Sequence, residues 1–105
     1  MHDARADLHP EALDELIAAA EWLDSEGGGL GEAFLQAVDE RIARIELFPY
    51  LSRRVNLVGI PDDVRQCVIR RYRYLLIYRV QGDQIQVIAV AHMRRKPGYW
   101  RGRLA

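Results

Sequence analysis

With 105 residues the chain is long enough for one hydrophobic core and too short for two, so a single domain spanning 1–105 is expected. Half of the residues are apolar and 29% are charged, and no apolar run approaches the roughly 20 residues that cross a bilayer. That excludes the disordered and the helical membrane classes. The formal charge of zero conceals an asymmetry: residues 1–50 carry three arginines against twelve Asp and Glu, minus nine, and residues 51–105 carry twelve basic residues against three Asp, plus nine.

In chain order, Ala4, Ala6 and Leu8 alternate with polar neighbours and predict a short edge strand. Pro10 suits the first turn of a helix, where its missing N–H is harmless, and Glu11, Asp14 and Glu15 favour that electropositive end. Leu13, Leu16, Ile17, Ala20 and Leu23 form its apolar stripe, and Gly27-Gly28-Gly29 ends it. A second helix is predicted after Gly31, with the stripe Phe34, Leu35, Val38, Ile42 and Ile45 and a stop at Pro49. The short linker makes the pair an antiparallel hairpin. Its glycines lack the Gly-Lys-Ser/Thr ending of a phosphate loop and read as a flexible connection.

Residues 50–63 show no periodicity, and Pro61-Asp62-Asp63 marks a turn. Three strands follow as an antiparallel meander: Val64 to Tyr72, Leu75 to Val80 after a tight Arg73-Tyr74 connection, and Gln84 to His92 after Gln81-Gly82-Asp83. The fold class is therefore α+β, a helix hairpin packed on an antiparallel sheet. Simple alternation puts Ile85, Val87, Ala89 and Ala91 on one face of the last strand, and Ile88, Val90 and His92 on the other. The hairpin covers one face, so Ile88, Val90 and His92 are expected to meet a partner. The chain continues as a basic, aromatic tail, Met93 to Arg101.

The element order and local wording resemble the ParE/RelE family of toxins from type II toxin–antitoxin systems, with the ParE branch favoured. The resemblance covers nearly the whole chain. It rests on His9-Pro10-Glu11-Ala12, Gly31-Glu32-Ala33-Phe34-Leu35, Phe48-Pro49, Val64-Arg65, Arg70 to Leu75, Tyr78-Arg79-Val80, and His92-Met93-Arg94-Arg95-Lys96-Pro97 with Trp100. It implies a bacterial protein made alongside a cognate antitoxin. ParE-like members are associated with poisoning DNA gyrase, and RelE-like members with cleaving messenger RNA on the ribosome; a degenerate, non-toxic relative that persists as a stable complex is the third reading.

Eleven of the twelve basic residues after position 50 are arginine, the better side chain for bidentate contacts to carboxylate or phosphate. Arg71, Arg73, Arg94, Arg95 and Lys96 are the candidate target-binding residues. Two other readings stand beside this one: the oppositely charged halves neutralise each other by packing, or the tail cations are simply solvated. A ribonuclease would need a proton donor, a proton acceptor and cations for the phosphate. Its candidates are His92, Arg65, Arg94 and Tyr99, although Lys96 is the sole lysine where active RelE-like members tend to use several. A strand-end histidine that hydrogen-bonds the backbone is the bland alternative for His92. Tyr72, Tyr74 and Tyr78 read as core packing. His2, His9 and His92 lie too far apart to suggest a metal site, no cofactor is expected, and neither Ser25 nor Ser52 sits in a nucleophile motif. The start, Met1 to Arg5, lacks the apolar stretch of a secretory leader, and the lone Cys67 suits a reducing compartment, so a cytoplasmic location is the expectation.

Overall fold

The computed structural model describes residues 5–104, so His2 and Ala4 lie outside the described residues. Strand β1, Arg5–Leu8, leads into helix α1, Pro10–Glu26, and helix α2, Leu30–Leu47. Strands β2, Arg53–Arg54, β3, Val64–Ile69, β4, Tyr74–Gln81, and β5, Gln84–His92, follow, and a 3₁₀ turn covers Arg101–Leu104. The sheet order is β1-β5-β4-β3-β2. β3, β4 and β5 form the expected antiparallel meander, while β1 is an edge strand running parallel to β5, so the five-stranded sheet is mixed. A parallel partner needs a crossover, and the helix hairpin supplies it. No helix among the described residues is long and apolar enough to cross a membrane.

Both helices start where local chemistry allows. Pro10 occupies the first turn of α1 and the His9 Nδ1 accepts the Glu11 N–H at 3.1 Å. The glycine run is a tight turn and not a loose linker. Gly27 caps α1, Gly29 sits at φ 85° before α2, and the Asp24 Oδ1 accepts the Gly31 N–H at 2.8 Å. Gly31 lies against α1 so closely that a Cβ would run into the Ala20 carbonyl oxygen and the Asp24 carboxyl. Gly31→Ala is therefore expected to destabilise the protein by about 1–3 kcal/mol, because backbone has to move. Urea unfolding checks this, and an unchanged midpoint would mean that the helices separate at little cost.

Packing turns the helices slightly from the predicted stripes. Ala12, Ala19, Ala20 and Leu23 of α1 are buried while Leu13 and Ile17 stay about half exposed, and in α2 Phe34, Val38 and Ile45 are buried with Leu35 at the rim. Together with Leu76, Tyr78, Val80, Ile85, Val87 and Val90 they form the main core. Tyr72 and Tyr74 both pack against Phe34, and the Tyr78 hydroxyl donates to the Pro49 carbonyl at 2.8 Å, so the three tyrosines are packing residues.

The second sheet face corrects the sequence reading. Tyr78 pairs with Val87 but Ile77 pairs with Ala89, which leaves Ile88 as the extra residue of a β-bulge. Alternation shifts there. Ala89 and Ala91 join Ile88 on the face away from the helices, and Val90 turns under α1 into the main core. That outer face is not open. Val55 and Trp100, with Leu57, Ile60 and Leu104, pack on it with Val64 as a second core and leave Ile88 at 0% exposure, while Val90, in the main core, is at 2%. Neither residue presents itself to a partner.

One side-chain cluster fixes this cover. Beyond the end of β1, the Val90 N–H donates to the Glu15 Oε1 at 3.0 Å and the Ile88 carbonyl accepts from the Arg103 Nη1 at 3.0 Å. Side chains thus complete the bulged strand. Arg103 also makes a two-pronged contact with Glu15, at 2.8 and 3.0 Å, and Glu15 accepts the Tyr99 hydroxyl at 2.5 Å.

Candidate functional site

Between the outer sheet face, the Val55–Leu57 segment and the Met93–Trp100 segment lies a cleft of about 400 Å³. Leu75, Ile77 and Ala91 line it from the sheet and Trp100 from the tail, while Arg53, His92, Arg95 and Lys96 contribute its cations and its imidazole. Consecutive turns shape the tail: Arg95 N–H donates to the His92 carbonyl at 2.9 Å and Tyr99 N–H to the Lys96 carbonyl at 3.2 Å. Gly98, at φ 81°, closes the second turn.

His92 ends β5 with its ring edge-on to Tyr74 at 5.0 Å, and its Nδ1 accepts the Arg94 N–H at 3.0 Å. The Arg95 guanidinium stacks on Tyr99, 3.8 Å from the ring centre. Burial pushes the Tyr99 phenol well above its ordinary range, and the hydrogen bond to Glu15 and that carboxylate's charge push it further. A phenol so held keeps its proton.

The second cationic group sits on the turn between β3 and β4. β3 ends at Ile69, so Arg70 to Arg73 form a longer turn than the tight connection expected. Arg71 and Arg73 adopt φ 80° and 58°, in the left-handed region that side chains other than glycine or asparagine resist at about 1 kcal/mol each. The Met93 N–H donates to the Arg73 carbonyl at 2.9 Å, which brings the Arg94 segment alongside.

The predicted residues therefore divide. His92, Arg95, Lys96 and Tyr99 gather at the cleft, Arg71, Arg73 and Arg94 gather at the turn, and Arg65 belongs to neither. Arg65 donates to the Tyr50 and Ser52 carbonyls at 3.2 and 2.7 Å and lies over the Tyr50 ring, so it fastens the 50–52 segment to β3. Sequence reasoning missed Arg53, Trp100 and Glu15. Arg53 lies in a stretch without periodicity, Trp100 in a tail whose basic residues drew the reading, and Glu15 among acidic residues that suit any helix start. Cys67 is partly buried, and burial raises its thiol pKa. Among the described residues no group of His, Cys, Asp and Glu could hold a metal ion.

A helix hairpin on a mixed sheet, with an apolar cleft rimmed by cations and an arginine-rich turn beside it, defines a small α+β scaffold with a cationic surface. The family described as the ParE toxin of the type II toxin-antitoxin system, parDE, matches residues 6–97, and the chain belongs to that family. The solved structure titled "Chromosomal ParDE TA system from P. aeruginosa" has a chain 18% identical to this one, with a TM-score of 0.71, covering 90% of this chain and 100% of its own. It shares the fold. No curated protein matches this sequence.

Proposed function

We propose that the chain is a toxin that inhibits an essential cellular target by binding it, with DNA gyrase the expected target, and that a cognate antitoxin neutralises it. The observation that carries the reading is how the proton-bearing groups of the cleft are committed. The Tyr99 hydroxyl donates a hydrogen bond to Glu15 and keeps its proton, and the His92 Nδ1 accepts the Arg94 N–H, which leaves His92 only Nε2 to offer a substrate. Among the described residues the cations Arg53, Arg95 and Lys96 have no ion-pair partner, Arg95 being stacked on Tyr99, but a ribonuclease needs a donor and an acceptor placed to reach one substrate. With Ile88 and Val90 buried, the surface for an antitoxin shifts to the C-terminal end of α2 and the segment that follows it. There Leu47, Phe48, Tyr50 and Leu51 are exposed beside a groove lined by Arg41 and Arg44, which suits an acidic segment with apolar residues.

Induction in a bacterial host, with DNA supercoiling and message integrity followed in one culture, tests the proposal. His92→Gln is expected to remain toxic, because the histidine moves no proton. Joint replacement of Arg94, Arg95 and Lys96 by alanine should abolish toxicity, at about 1.5–3 kcal/mol of target affinity for each well-placed charged hydrogen bond. A folded but harmless His92→Gln that no longer cleaves message while still binding its target would make the chain a ribosome-dependent ribonuclease instead.

A further inference from the structure

We propose that the β3–β4 turn, with Arg94 beside it, binds the phosphodiester backbone of duplex DNA. This goes beyond the antitoxin and target described above and is tested without either. Arg71, Arg73 and Arg94 are brought to one end of the sheet by the Met93–Arg73 main-chain hydrogen bond, and all three are exposed. Among the described residues none of them has an ion-pair partner. Arg70 shares a groove with Glu40 and is left out of the site.

Conformation is the second observation. Arg71 and Arg73 occupy left-handed backbone positions where glycine would sit without strain, so the turn carries guanidinium groups against its own backbone preference. Strain of this kind points to a use for the side chains.

The class of ligand follows from what surrounds the arginines. A protein partner needs an apolar centre, yet the large exposed apolar residues lie mainly on α1 and around residues 47–51, and only Val68 and Met93 come within two residues of the turn or Arg94. A single strand needs exposed rings on which bases stack, but Tyr72 and Tyr74 are engaged with Phe34 and His92. Duplex DNA asks only for positive charge that matches its phosphates, and arginine pairs with phosphate oxygens through two parallel N–H bonds.

Fluorescence anisotropy of the purified chain with a short duplex DNA, the same sequence as duplex RNA and as a single strand, and polyglutamate provides the test. Duplex DNA should bind best, with affinity falling with salt at a log–log slope of about −2 to −3, as three neutralised phosphates require. Arg71→Gly with Arg73→Gly should weaken binding roughly tenfold and flatten that slope by about two. The same variant should unfold at an equal or higher temperature, since the strain is relieved, which separates lost binding from lost folding. Arg71→Lys with Arg73→Lys should keep the slope. Unchanged duplex binding in the glycine variant overturns the site, and tighter binding of RNA, single strand or polyglutamate overturns the ligand.

Discussion

Glu15→Ala is expected to be among the most damaging single substitutions in the protein, lowering stability at neutral pH by about 3–5 kcal/mol. The Glu15 and Arg103 side chains are only 16% and 11% exposed, so removing the carboxylate leaves a largely buried guanidinium without its main counter-charge. The Val90 N–H and the Tyr99 hydroxyl lose their acceptor as well. Glu11, 3.0 Å from the Arg103 Nε but 63% exposed, replaces little of this. Burial pushes the Glu15 carboxyl up, but the hydrogen bonds from Arg103, Tyr99 and the Val90 N–H, with the Arg103 charge, outweigh it and hold the pKa below the ordinary value. A depressed folded pKa means that the unfolded chain takes up the proton first as pH falls. The ionised carboxylate therefore contributes fully above the ordinary glutamate range, near pH 4, and its contribution is lost as pH falls through the lower folded value. Urea unfolding of the parent, Glu15→Ala and Glu15→Gln across that range should show the parent's advantage shrinking in acid. Equal midpoints at neutral pH would mean that the tail is held by its apolar contacts alone.

Trp100→Ala should cost a comparable 3–5 kcal/mol, about what a buried tryptophan is worth when its space is left empty. Trp100 is 3% exposed and packs in the core that covers Ile88, Ala89 and Ala91 on the outer sheet face. Its removal should also enlarge the cleft and expose apolar strand surface, which an environment-sensitive dye would report. Trp100→Phe, which refills part of the space, should recover much of the loss. A drop below about 1 kcal/mol, the size of an ordinary surface change, would show that the tail only rests on the sheet.

Local periodicity made both helices and the antiparallel meander readable, because i, i+3, i+4 spacing and β-branched runs act over a few residues. The parallel pairing of β1 with β5 was not readable, since it joins segments that no local pattern connects. The bulge at Ile88 moved Ala89 and Ala91 to the opposite face from the one alternation predicts, and no residue in Gln84–His92 announces it. The same holds for the cover of the outer face: a basic, aromatic tail reads as a binding segment, and nothing in it announces that Trp100, Tyr99 and Arg103 anchor it to the sheet. Of the candidate site, the cationic chemistry was legible from composition. Its division between a cleft and a turn depended on tertiary placement, as did the confinement of Arg65 to a fastening role.

The contacts between Glu15 and the tail join residues 84 and 88 positions apart, and Arg5 pairs with Gln84 across most of the chain. Such distant closures are slow in folding, because the entropy of bringing the ends together is lost before the contacts form. On a ribosome β1 and the helix hairpin emerge first, with an apolar stripe and no sheet to receive it. Only when β5 and then Arg103 have been made can the first strand pair and the sheet be sealed. The native state should therefore wait for Arg103, and a chain cut off before it would hold nearly every core residue without the contact that closes the structure.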